Sequence, residues 1–217
     1  MSRLFAAAIL APWPSGAVAA AQSVGDQLWS ELDATYPIAA AWSATGILTT
    51  RLGNSLPNPT LSAGGLQIDY RFGSWIASGT GYYVSIRTAQ SGARTAIWLP
   101  AAALTYAIRL GPVALSDRNR LDQLEGLPGS PVRYRNRVVA DWHIPGGRHL
   151  TDFFLADEAF YDFSKDRWSR NRAQAGVQIH LAQNSRLQTF YMRQNNTYGA
   201  PARLNVLGLT LQLDIGS

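Results

Sequence analysis

The residues with the clearest chemical potential are arginines that recur at alternating positions in three stretches of the sequence. They are Arg118, Arg120, Arg133, Arg135, Arg137, Arg170 and Arg172. A guanidinium group stays positively charged and binds carboxylates or free anions. Glu158 lies between the second and third stretches and is the acid best placed to pair with them. The spacing therefore predicts either a surface that attracts anions or a set of internal ion pairs, and we favour the ion pairs because buried charges are normally paired.

Other kinds of chemistry find little support in the sequence. The chain contains no cysteine, and no H-E-x-x-H spacing links its histidines, which are His143, His149 and His180. A serine hydrolase would need a nucleophile beside a histidine, and no motif supports the serines that could serve, which are Ser78, Ser85 and Ser116. There is no glycine-rich phosphate loop. We expect no catalytic, cofactor-binding or metal-binding residues, and no enzymatic activity.

The elements that position the arginines are predicted by a period of two. In the segment 66–72, Leu66, Ile68, Tyr70 and Phe72 alternate with polar residues. Successive side chains of a strand point to opposite faces, so such a segment has one apolar face and one polar face. Eleven segments are predicted as strands, namely Gln27–Tyr36, Trp42–Leu52, Leu61–Phe72, Trp75–Arg87, Ala96–Leu110, Val113–Leu124, Val132–Ile144, Thr151–Phe163, Trp168–Leu181, Arg186–Gln194 and Arg203–Ile215.

The length of these segments indicates their class. They run to about 10–15 residues, whereas an ordinary globular strand has about 5 or 6 and a tilted membrane strand needs about 9–11. In the first half of the chain, short connections alternate with longer ones, as in outer-membrane barrels. The prediction is an all-β protein, an antiparallel up-and-down transmembrane β-barrel of about 10–12 strands, formed by residues 22–217 as one domain.

The direction of the polar face distinguishes a membrane barrel from a soluble one. In a membrane barrel the polar face of each strand points into the lumen, whereas in a soluble barrel it points outward into water. Trp42, Tyr70, Tyr106 and Trp142 lie in the apolar set close to strand ends, as expected of the aromatic girdles of a membrane barrel. The polar set then faces the lumen, and we expect it to include four glycines, Gly79, Gly81, Gly176 and Gly208. A secreted soluble barrel that binds an apolar ligand, as lipocalins do, is the alternative.

The first 21 residues predict a signal peptide. Arg3 is followed by a short apolar stretch, 4–11, and small-x-small cleavage sites end at Ala19 and Ala21. No later stretch is apolar enough for a membrane helix, so contact with a membrane must be made by strands. The net charge of +5 does not indicate nucleic-acid binding, because the arginines alternate with apolar residues instead of forming runs.

Four short motifs together point to a known family. They are Gln27-Leu28-Trp29, the strand Arg133-Tyr134-Arg135-Asn136-Arg137, Ala156-Asp157-Glu158-Ala159-Phe160-Tyr161, and Asn171-Arg172 with the strand through Gly176. By these motifs the sequence resembles an uncharacterised bacterial family, domain of unknown function 2490. The resemblance covers most of the residues after the leader. It implies an outer-membrane barrel and supplies no activity.

Strand number and pairing can also be predicted. Single-chain bacterial barrels usually have an even number of strands, so one of the eleven predictions should be wrong, and Val113–Leu124 is the weakest because Asp117 and Asn119 interrupt its apolar face. Folding the chain at 146–147 sets Arg135 roughly opposite Glu158, within a register error of two residues, and folding it at 165–166 sets Arg172 roughly opposite the same carboxylate. We therefore expect Glu158 to be clamped between arginines of two strands.

The charge balance of the inward set predicts the behaviour of the lumen. Near the arginines, the candidate acids are fewer: Asp122, Asp141, Glu158 and Asp162. An opposing acidic wall is expected from Glu31, Asp33, Asp69 and Asp214. We expect an outer-membrane barrel, in contact with lipid, whose arginine-rich lumen is either occluded or weakly selective for small anions. A lipid-modifying enzyme with its site at the barrel mouth remains a further alternative.

Overall fold

The computed structural model describes residues 24–53, 59–87, 93–146, 150–198 and 201–216, so the predicted leader, 1–21, lies outside the described residues. Within them, no helix is long and apolar enough to cross a membrane. The strands are β1 (Val24–Ala39), β2 (Trp42–Leu52), β3 (Pro59–Phe72), β4 (Trp75–Arg87), β5 (Arg94–Leu110), β6 (Val113–Gln123), β7 (Val132–His143), β8 (Leu150–Asp162), β9 (Arg167–Ala182), β10 (Ser185–Asn196) and β11 (Arg203–Asp214). A 3-10 turn, Phe163–Lys165, joins β8 to β9.

The eleven strands form a closed barrel, as the length and periodicity of the segments predicted. Each consecutive pair is antiparallel, but β1 and β11 pair in parallel, from Val24 opposite Arg203 to Thr35 opposite Asp214. The expectation of an even strand number is wrong, and β6 is a full member of the sheet. A barrel with an odd number of strands can close because its first and last strands run in the same direction. Their backbone groups then pair in a parallel ladder.

The two ends of the barrel differ in the length of their connections. The short-turn end carries the connections 40–41, 73–74, 111–112 and 183–184, together with the longer 144–149. The long-connection end carries 53–58, 88–93, 124–131, 163–166 and 197–202. Gly73 and Gly111 adopt φ values of +59° and +62° in the two-residue turns, a conformation that glycine reaches without steric cost.

The two faces of each strand follow the predicted alternation. On β8, Phe154 and Glu158 are buried inside the barrel, while Phe153 and Leu155 are exposed on its outer surface. The prediction for glycine was half wrong. Gly176 and Gly208 face inward beneath the rings of Phe154 and Phe190, but Gly81 faces outward beneath the indole of Trp98, and Gly79 shares its face. The absent side chain makes room for an aromatic ring at three of these positions.

Candidate functional site

The inward faces of β6–β9 bring the predicted charged residues together, and we call them the charged wall. Arg120 lies opposite Arg135, Arg137 lies opposite Glu158, and Glu158 lies opposite Arg172. Like charges placed directly across a ladder destabilise it. The wall is therefore stable only because two carboxylates, Glu158 and Asp122, lie among the guanidinium groups.

Glu158 is the first of these carboxylates, and it is 6% exposed. Arg135 donates to its Oε1 through Nη2 at 2.6 Å and Nε at 3.1 Å. Arg118 reaches the same oxygen at 3.3 Å, and Arg172 reaches Oε2 at 3.2 Å. One carboxylate thus holds arginines from β6, β7 and β9, which ties four neighbouring strands together inside the barrel.

Asp122, near the long-connection end of β6, is the second carboxylate and is fully buried at 0% exposure. Arg120 donates to its Oδ1 through Nε at 2.6 Å, and Arg133 donates to Oδ2 at 2.8 Å. Arg135 reaches Oδ2 at 3.5 Å. Because Arg135 contacts both carboxylates, the two clusters form one continuous network.

Phe160 lies at the centre of the charged wall and is 1% exposed. The guanidinium carbons of Arg133, Arg135, Arg170 and Arg172 lie 4.7–5.4 Å from its ring centroid. The negative face of an aromatic ring attracts cations at this distance. The ring therefore separates and partly compensates arginines that would otherwise repel one another.

The strand register at Glu158 lies within the expected error of two residues. The residue directly opposite on β7 is Arg137, not Arg135. Arg135 nevertheless binds the carboxylate, because a long side chain reaches a diagonal neighbour two positions away. Arg137 donates instead to the amide oxygen of Gln174 at 3.2 Å, and Arg170 donates to Asn196 at 2.8 Å.

Sequence reasoning did not select Phe160, and it also missed two members of the site on other strands, Arg51 and Trp29. The guanidinium carbon of Arg51 lies 3.7 Å from the ring centroid of Trp29, and that of Arg172 lies 4.9 Å from the same ring. Within the described residues, Nε of Arg51 is buried without a hydrogen-bond partner. The signal was present, because the inward alternation of β2 through Thr45 and Thr49 continues to Arg51.

The acids expected on the opposing wall lie on β1, β3 and β11, and three of the four bind groups of their own side. The fourth is Asp33, whose Oδ1 is buried without a hydrogen-bond partner among the described residues. Glu31 accepts a hydrogen bond from Thr49 at 2.9 Å, and Asp69 accepts from Gln67 at 3.0 Å. Asp214 pairs with Arg186 at 3.2 Å. These carboxylates therefore make no ion pair with the charged wall in the described part of the chain.

Two apolar clusters flank the charged wall inside the barrel. On one side, Val84, Ile97 and Leu99 pack with Leu124 and Leu127 from the connection between β6 and β7. On the other side, Met192, Leu204 and Val206 pack with Trp29 and Phe190. Since these clusters and both carboxylates are buried, the lumen is narrow at this level.

The remaining candidates for chemistry are dispersed. His143 contacts Asp152 at 3.2 Å near the short-turn end, His180 is exposed on β9, and His149 lies outside the described residues. Among the residues that the structure describes, no group of side chains could hold a metal ion. In the same residues no serine, including Ser78, Ser85 and Ser116, is hydrogen-bonded to a histidine side chain.

Comparison with known proteins gives a family and a fold. The family model described as "Protein of unknown function (DUF2490)" matches residues 26–205. No curated protein matches the chain. Among solved structures, a NanC porin is 11% identical with a TM-score of 0.53, over 83% of this chain and 92% of that chain. An anion-selective porin from Comamonas acidovorans is 15% identical with a TM-score of 0.40, over 82% and 53% of the two chains. OmpT of Vibrio cholerae is 11% identical with a TM-score of 0.39, over 75% and 58%.

Proposed function

The chain belongs to the DUF2490 family of proteins of unknown function, and we propose that it is an outer-membrane β-barrel whose constricted, arginine-rich lumen admits small anions and catalyses no reaction. The observation that carries this proposal is the imbalance of charge in the charged wall, where many arginines share two carboxylates. The membrane placement and the anion preference rest on different faces of the strands.

The outer face of the barrel supports a hydrocarbon environment. Large apolar side chains are exposed there, among them Leu48, Leu66, Leu104, Leu155 and Leu207. Exposed aromatic residues, such as Trp42, Trp75 and Trp142, lie near the short-turn end. A water-soluble barrel that bound an apolar ligand would carry this set inside and its charges outside. After fractionation of the producing cell, the protein should be found in the detergent-extracted envelope; recovery in the periplasm would refute the placement.

The lumen supports a preference for anions. Asp122 and Glu158 are the carboxylates that the charged wall binds, and they are shared by Arg118, Arg120, Arg133, Arg135 and Arg172. Within the described residues, no carboxylate is paired with Arg51, Arg137 or Arg170. Rings of arginine lower the energy of an anion and raise that of a cation in a narrow pore.

The burial of the same network limits the size of the solute. Arg120, Asp122, Glu158 and Arg172 are buried, and packed side chains leave little room beside them. The side chains of Arg118 and Arg133 keep 29% and 21% of their surface accessible, so part of the wall remains hydrated. We therefore propose passage of small inorganic anions through a constriction and not free diffusion of larger solutes.

Reconstitution into planar bilayers tests the proposal. We expect small single-channel currents, and a salt gradient should give a reversal potential that reports preference for chloride over potassium. Arg51→Gln should reduce this preference, because it removes a charge that has no carboxylate partner. Arg109→Gln is the matched control, since Arg109 is exposed near the short-turn end, away from the constriction. Preference for cations, or no current at all, would overturn the proposal.

The proposed absence of catalysis has its own test. A lipid-modifying enzyme would release fatty acid from labelled phospholipid or lipopolysaccharide vesicles. We expect no release above that of vesicles alone. Hydrolysis that disappears on changing one serine or histidine would establish the enzymatic alternative.

A further inference from the structure

The outward face of β6–β11 is crossed by a row of polar side chains, which we call the polar belt. Strand pairing aligns its members: Asp157 lies beside Ala173, Ala173 beside Arg193, and Arg193 beside Asn205. The belt consists of Asp117, Asn119, Asn136, Asp157, Asn171, Arg193, Asn195, Arg203 and Asn205. It contrasts with the outward face of β5, where no charged residue lies between Trp98 and Leu110 at outward positions.

The belt crosses the part of the surface that would otherwise contact lipid. On β8, Asp157 lies midway between the outward-facing Phe153 and Tyr161, with Leu155 and Ala159 as its outward neighbours. Asp157 is exposed on the outer surface. A charged side chain in contact with hydrocarbon is unfavourable, so the barrel gains stability if another surface covers this one.

The belt divides its charges between the two sides of β9. Asp117 and Asp157 lie on one side, whereas Arg193 and Arg203 lie on the other. Asp157 accepts hydrogen bonds at 3.0 Å from the amide of Asn171, and Arg193 donates at 3.1 Å to the amide oxygen of Asn205. Among the described residues, neither Asp157 nor Arg193 takes part in an ion pair, so each is available to a partner of opposite charge.

The outward face of β9 is shaped for close contact. Ala173 and Ala175 present only methyl groups between the acidic and basic sides. A shallow groove beside them is lined by Phe153, Ala175, Val177, Tyr191 and Leu207. Small residues allow two membrane-embedded surfaces to approach, and polar side chains within such an interface then gain partners that lipid does not supply.

We propose that a second copy of this chain packs on the outward face of β8–β10, around a two-fold axis that runs beside β9 parallel to the barrel axis. A two-fold interface uses the same patch on both subunits. This arrangement would place β8 of each barrel against β10 of the other. Asp157 would form an ion pair with Arg193 of the partner subunit, and the symmetry would generate a second, equivalent ion pair. The acidic and basic sides of the belt make this face complementary to itself. The inference rests on the proposed membrane placement but not on conduction.

Cysteine cross-linking tests this arrangement, since the chain has no cysteine of its own. Ala173→Cys lies at the proposed axis, where it meets its own copy. Ala102→Cys is the matched control on the outward face of β5. In oxidised membranes we expect a disulfide-linked species of twice the chain mass for Ala173→Cys, at least several-fold stronger than for Ala102→Cys.

The other outcomes of the cross-linking have defined meanings. Equal cross-linking of both variants would show that the barrels collide at random. No cross-linking would show that β9 does not meet β9 of a second copy, and a product of another mass would show a different partner. Each of these three results would overturn the proposal. Flotation of reconstituted vesicles tests the membrane placement separately. If the protein does not float, the proposed placement fails, whatever the cross-linking result.

Charge reversal tests the ion pair itself. Asp157→Arg and Arg193→Asp should each reduce the dimer fraction measured by light scattering in detergent, and the double variant should restore it. Circular dichroism confirms that each variant is folded. If a reversal variant does not fold, Asp157→Asn and Arg193→Gln replace it, with the same expected loss of dimer. An unchanged dimer fraction in the folded single variants would refute the pairing.

Discussion

The lumen is filled in two different ways on its two sides. On β6–β9, charged side chains are buried around Asp122 and Glu158, whereas on β4 and β5 an apolar cluster of Val84, Ile97 and Leu99 is buried. Burial of an apolar side chain is favourable residue by residue. Burial of a charge is favourable only when its partners are present. Removing one carboxylate should therefore disrupt the whole charged network and greatly lower the free energy of unfolding. On the apolar side, each substitution should lower it only by the contribution of the residue that is changed.

The largest effect is expected from Glu158→Gln. The substitution keeps the volume but leaves Arg118, Arg135 and Arg172 without their shared negative charge. Breaking a buried ion pair by removing one partner costs about 3–5 kcal/mol. We expect a loss of this size in the free energy of unfolding, measured by tryptophan fluorescence in a denaturant series with the protein in lipid vesicles.

The control for this variant is the same substitution on the facing side of the lumen. Glu31→Gln removes a carboxylate whose hydrogen-bond partner is the hydroxyl of Thr49, so no arginine of the charged wall loses an ion pair. The free energy of unfolding should therefore fall clearly less for Glu31→Gln than for Glu158→Gln. Equal losses for the two variants would mean that the network around Glu158 does not act as a unit.

The strands and their faces could be predicted from the sequence, but the closure of the barrel could not. The alternation of apolar and polar residues along 66–72 or 207–215 is a property of each strand alone. It correctly predicted which leucines face outward. The parallel pairing of β1 with β11 depends on the direction of two strands at opposite ends of the chain. No local pattern contains that information, so the usual preference for even numbers misled the prediction.

A moderate effect is expected on the apolar side from Ile97→Ala. Ile97 is 3% exposed and packs in the cluster with Val84 and Leu99. Truncating a buried isoleucine to alanine leaves a cavity and costs roughly 2–5 kcal/mol. Ile108→Ala on the outward face of the same strand is the control, since Ile108 is 40% exposed. Denaturant unfolding should separate the two variants; a larger loss for Ile108 would show that the faces of β5 are reversed.

The site itself could be predicted in part. The arginine alternation placed the charged wall, and the acid count named Asp122 among the candidates for pairing. Arg135 and Arg172 hold Glu158 as expected. The residue directly opposite Glu158 on β7 is Arg137, which lies within the expected register error of two residues. Phe160 was not selected because an aromatic side chain among inward charges looks like an exception to the pattern. The four guanidinium groups that it contacts come from the two neighbouring strands, β7 and β9, so the contacts are visible only in the folded barrel.

The smallest effect on stability, but a clear effect on ion selectivity, is expected from Arg137→Gln. In the described structure, the hydrogen bond of this arginine is to Gln174 at 3.2 Å, with no carboxylate paired. Loss of one such hydrogen bond costs about 0.5–1.5 kcal/mol, and removal of a positive charge beside Arg118 and Arg135 offsets part of that cost. We expect a change below about 1 kcal/mol in the free energy of unfolding. The reversal potential in a salt gradient should nevertheless shift towards zero, because one uncompensated charge of the lumen is gone.

Arg135→Gln provides the contrast, since Arg135 joins both carboxylates. Its loss should lower the free energy of unfolding much more than the loss of Arg137. If Arg137→Gln destabilised the barrel as strongly as Arg135→Gln, the distinction between paired and uncompensated arginines would be wrong, and with it the physical basis for anion preference.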